Sequence, residues 1–105
     1  MKNGFVSMLV AGLLAGGAAW AEDSNKGMAT CAQYARLAEA VMDMRQLGGS
    51  LQQALNVVEP GTFSEAIVLN AWERPRMVTE SMQRRIVQDF VDEVYLTCIR
   101  AQGRD

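Results

Sequence analysis

Apolar and polar positions divide the chain into an apolar N-terminal run and a longer stretch where they recur with a helical period. Phe5 to Ala19 is apolar apart from Ser7 and the glycines at 12, 16 and 17. Residues 22–29 are polar, contain Gly27 and show no period, which predicts a flexible leader. From Thr30 onward Cys31, Tyr34, Leu37, Ala38, Val41 and Met42 recur at three- and four-residue steps, the spacing of one apolar helix face. Gln33, Arg36, Glu39 and Asp43 fill the remaining surface, and Gly48-Gly49 is the expected stop.

Three further helices follow from the same pattern. Ser50 with Gln53 has capping-box spacing ahead of Leu51, Leu55 and Val58, and Pro60-Gly61 closes that short helix. Thr62 with Glu65 opens a third helix, from Phe63 to about Glu73. Its Ala66, Ile67, Val68, Leu69, Ala71 and Trp72 leave little polar face, so it is expected to be largely enclosed. Arg74-Pro75-Arg76 interrupts the helix, because proline disfavours the helical conformation at the residue before it. Thr79 then caps a long final helix with the stripe Ile86, Val87, Phe90, Val91, Val94 and Cys98, and Arg85 and Asp89 are placed to pair on its solvated side. The predicted fold is all-α: a compact domain of about four helices over residues 30–105.

The apolar run changes what the N-terminus means. Lys2, the run itself and Ala19-Trp20-Ala21 have the charged, apolar and small-residue parts of a secretory signal, which predicts cleavage after Ala21. The run falls short of the about 20 apolar residues a membrane span needs, and Gly17 stands where a lipid-attachment cysteine would be. The expected product is therefore periplasmic, with no membrane anchor. Removing residues 1–21 leaves 84 residues and takes Lys2 from the 10 basic residues set against 12 acidic ones, a net charge of −3. Mild acidity points away from nucleic acid. In an oxidising compartment Cys31 and Cys98 read as one disulfide, which ties the first helix to the last and restricts the unfolded chain by roughly 4 kcal/mol.

Candidate chemistry is sparse. The chain has no histidine, so histidine-assisted nucleophiles and imidazole ligands are excluded. The cysteines have no CxxC spacing, and Gly48-Gly49 lacks the Lys-Ser/Thr of a phosphate loop. Met42-Asp43-Met44 has a spacing that suits Cu(I) in an extended segment, but on a helix two steps of about 100° turn the thioethers apart. The expectation is no enzyme, no cofactor and no metal. Arg45 falls inside the first helix's apolar stripe, as a buried anchor paired with a carboxylate, a donor aimed at a ligand, or a last-turn cation whose head reaches water. Trp72, Arg74 and Arg76, with Arg45, form the candidate partner-binding set, since Trp and Arg are enriched at binding hot spots.

The pattern Cys31-x2-Tyr34, Arg45-Gln46-x-Gly48, Ala71-x3-Pro75-Arg76, Phe90 and Tyr95-x2-Cys98 resembles a group of uncharacterised small exported single-disulfide helical proteins of Gram-negative bacteria and their prophages. The resemblance spans nearly the whole chain after the signal and implies export, one disulfide and a helical fold, but no activity. The expected function is a soluble periplasmic interaction module that binds another protein, in an inhibitor, immunity or exclusion-type role. The alternative is a periplasmic stress chaperone that exposes apolar surface at low pH. It is motivated by Met28, Met42, Met44, Met77 and Met82 and by a likeness in size, compartment and disulfide to the acid-stress chaperones of the enteric periplasm.

Overall fold

The computed structural model describes residues 27–103. The expected signal 1–21, positions 22–26 of the expected leader and residues 104–105 lie outside them. Among the described residues the chain forms four helices and no strand: α1 (residues 27–46), α2 (Leu51–Leu55), α3 (Phe63–Trp72) and α4 (Glu80–Ala101). Helix α1 already runs at Gly27, so positions 27–29 of the expected leader are helical. Met28 and Ala29 are exposed and fall beside a glycine after a polar run, so they add no periodic buried position, which is why periodicity missed this turn. Gly27 lies against the Gln102 side chain, which occupies the space a β-carbon would need.

Local sequence accounts for each helix end. Gly48, at φ +94°, stops α1 in a Schellman motif. The Gly49 N–H donates to the Met44 carbonyl at 2.8 Å and the Gly48 N–H to the Arg45 carbonyl at 3.2 Å. Ser50 and Gln53 form both bonds of the capping box on α2. On α3 only half of the second box forms: Thr62 Oγ1 accepts from the Glu65 N–H at 3.2 Å, while the Glu65 carboxylate takes the Gly61 N–H at 3.0 Å. Thr79 caps α4 by accepting from the Met82 N–H at 3.2 Å.

Helices α1 and α4 run antiparallel. Gly27 meets Gln102, Cys31 is bonded to Cys98 with the Cα atoms 5.5 Å apart, and Glu39 and Asp43 share a cleft with Arg84 and Gln88. Helix α3 runs the same way as α1: Tyr34 meets Phe63 edge-on at 4.8 Å near one end, and Arg45 stands over Trp72 near the other. The core between them comprises Ala38, Val41 and Met42 of α1, Ala54 of α2, Ile67, Val68 and Ala71 of α3, and Val87, Phe90 and Val94 of α4.

Two expectations change. Helix α3 is covered over most of its surface but not all of it: Leu69 is 42% exposed, and the exposed Asn70 turns its amide back to the Ala66 carbonyl at 2.9 Å. Its neighbours cover the Ile67–Val68–Ala71 face, so apolar content alone overstated its burial. Arg85 and Asp89 do not pair; the ion pair along α4 is Glu80 with Arg84, at 3.7 Å and exposed to water.

Candidate functional site

The candidate residues gather where α1 and α3 end and α4 begins. The connection between α3 and α4 leaves α3 in a tight turn, with the Arg74 N–H on the Ala71 carbonyl at 3.1 Å, before Pro75 ends any continuation. Its backbone is then held by side chains from α1 and α4. Arg45 Nε donates to the Arg74 carbonyl at 3.1 Å. Gln46 Nε2 donates to the Pro75 carbonyl at 2.9 Å, and Gln46 Oε1 accepts from the Met77 N–H at 2.7 Å. From α4, Gln83 Nε2 donates to the Met77 carbonyl at 2.9 Å. Gln46 is 2% exposed, and its amide contacts the Met42 sulfur at 3.5 Å as well. A buried amide with no partners would cost about 1–3 kcal/mol; here both of its ends are satisfied by the connection's backbone.

Each sequence-predicted residue has a distinct place in this arrangement. Arg45 is neither paired with a carboxylate nor simply solvated. It clamps the chain at Arg74 with its guanidinium 6.0 Å from the centre of the Trp72 ring. Trp72 is half-buried against the core. Arg74 is half-buried too, stacked over Phe90 at 5.1 Å and bonded through Nη2 to Glu93 at 2.8 Å. Arg76 is exposed and lies over Gly48, its Nη2 3.4 Å from the point a β-carbon there would occupy. That places its charge at the negative end of the α1 dipole, which offsets the cost of a cation just ahead of α4.

Sequence reasoning gave no role to Gln46, Gln83 or the two exposed apolar side chains at this end, Leu47 (79% exposed) and Val78 (91% exposed). For Gln46 a signal existed: it stands four residues after Met42 on the apolar stripe, where a polar side chain must find a partner. Val78 had none, because a single valine in a connection has no periodic neighbour.

Two grooves flank α4 near its start. A cleft of about 650 Å³ between α1 and α4 is lined chiefly by Glu39, Asp43, Arg84, Arg85 and Gln88. A smaller one of about 480 Å³ lies between the connection and α4. Among the described residues no three Cys, Asp or Glu side chains stand close enough to hold a metal ion. The arrangement offers contact: guanidiniums beside apolar side chains on an immobilised backbone. In comparisons with known proteins, no family model, no curated protein and no solved structure matches this chain.

Proposed function

We propose that the chain is a small exported interaction module of the periplasm that binds another protein through the end of the bundle bearing the α3–α4 connection. The observation that carries this reading is the clamp. Arg45, Gln46 and Gln83 fix the connection's backbone at Arg74, Pro75 and Met77, while Arg76 and Val78 beside those anchors stay in solvent. A pre-fixed backbone lowers the ordering cost of binding. An exposed arginine beside apolar side chains supplies the groups that dominate protein contacts. Export is supported by the signal pattern of residues 1–21 and by the Cys31–Cys98 disulfide, which belongs to oxidising compartments. An inhibitor, immunity or exclusion-type role suits such a module.

The test is affinity capture from periplasmic extract, comparing the wild type with the double variant Arg76→Ala, Val78→Asp. Both side chains are exposed, so the thermal midpoint should move by only a few degrees, as a surface change is worth about ±0.5 kcal/mol or less, about 2–4 °C in a domain of this size. Capture should fall by about tenfold or more, the effect of removing an interfacial anchor worth over 1.4 kcal/mol. Undiminished capture by the double variant would remove this end of the bundle as the contact.

A further inference from the structure

We propose that the groove between the α3–α4 connection and the first turns of α4 receives a partner peptide segment bearing a carboxylate beside an apolar side chain. The inference rests on the interaction-module reading and names what the surface recognises. The groove is an open depression of about 480 Å³ lined by Arg74, Met77, Ser81, Met82, Arg85, Ile86 and Asp89. That volume falls among pockets of about 300–1,000 Å³ that hold compact ligands. Met77, Met82 and Ile86 supply its apolar surface, and Met82 is 49% exposed. Thioether side chains adapt to different apolar shapes, so such a lining accepts an aliphatic or an aromatic anchor.

Charge selects the rest of the segment. Two arginines, Arg74 and Arg85, line the groove with one acidic residue, Asp89. Arg74 is held in place by Phe90 and Glu93, and Glu93 is not part of the lining. The bond to Glu93 uses one of the five N–H donors of a guanidinium, which leaves others to offer. Arg85 forms no ion pair among the described residues. Positioned guanidiniums bind carboxylates through paired hydrogen bonds, which a lysine-bearing segment cannot match. The Met77 wall is anchored at both its N–H and its carbonyl, so the groove exists before a ligand arrives.

The experiment uses the oxidised protein with ¹³C-labelled methionine methyl groups. The probes are a blocked decapeptide alternating Glu and Leu, and its counterpart with Lys in place of Glu. The Glu–Leu peptide should shift the methyl signals of Met77 and Met82 while leaving that of the buried Met42 unmoved. Arg85→Glu should weaken its binding by about tenfold, the size of a lost charged contact, and Asp89→Asn should strengthen it. For the Lys–Leu peptide the order of the variants should reverse. Equal binding of both peptides, unchanged affinity in Arg85→Glu, or shifts confined to Met28 or Met44 would overturn the proposal. So would stronger shifts at Met77 and Met82 from phosphatidylglycerol vesicles than from the peptide. The two readings separate cleanly. Full capture of a partner by Arg85→Glu, with capture lost in the Arg76/Val78 variant, overturns the groove and leaves the module reading standing. A wild-type chain that captures nothing sinks the module reading, and the peptide titration then decides the groove alone.

Discussion

Gln46 is a polar side chain sealed at the end of an apolar stripe, and its surroundings explain why it is kept there. Its amide donates to Pro75 and accepts from Met77, so it stands in for a neighbouring strand of backbone that the helical fold does not supply. Replacing it with leucine would fill similar volume but leave the Pro75 carbonyl and the Met77 N–H without these partners. We expect Gln46→Leu to cost about 2–3 kcal/mol in chemical denaturation, on the scale of two part-buried groups left unsatisfied. Hydrogen exchange at the Met77 amide should accelerate far more than exchange in α4. Gln46→Glu separates the two bonds, because a carboxylate can still accept from Met77 but meets the Pro75 carbonyl with no proton to give. It should therefore destabilise the domain while protecting the Met77 amide better than leucine does.

At the scale of elements, the threonine caps make a comparable test. Thr79 gives α4 one capping bond, whereas Thr62 accepts from Glu65 and also donates to the Glu59 carbonyl at 2.6 Å. Thr79→Ala should cost about 1 kcal/mol, a usual cap value, and Thr62→Ala more, as a lower thermal midpoint for both in the order given. These caps were legible in the sequence because each involves residues three apart, as were the glycine stop after α1 and the stripe of α4. The clamp was not. Arg45 and Gln46 reach residues 29 to 31 positions away, and no periodicity encodes where a stripe's polar members will find a carbonyl. Helical spacing placed Arg45 on the buried face but could not aim its head. The apolar content of α3 likewise could not say which of its faces would lack a neighbour, and Leu69 and Asn70 are the result. The candidate contact set reads the same way: residue type and helical spacing singled out Trp72, Arg74, Arg76 and Arg45, while their division into anchored and exposed side chains needed the packing of α1 and α4.

Over the whole molecule, α1 is fastened at two places that differ in kind. Near its start a covalent bond joins Cys31 to Cys98, and at its finish Arg45 and Gln46 hold the backbone leading into α4. The disulfide closes a loop with a sequence separation of 67. In a chain-entropy account that restricts the unfolded state by roughly 4 kcal/mol, a large part of what a domain this small can hold. The hydrogen-bonded end is independent of this, since none of its partners lies near either cysteine in the chain. Reduction should therefore lower global stability without opening the connection first. We expect Cys31→Ser, Cys98→Ser protein to unfold at a denaturant midpoint well below that of the oxidised wild type. While still folded, it should keep the Met77 amide protected relative to the global opening rate. Partner capture below that midpoint should match the wild type, because the proposed contact lies at the clamped end. If loss of the disulfide instead exposes the Met77 amide while the core stays protected, the two fastenings act as one, and the clamped end depends on the bond at the opposite end of the bundle.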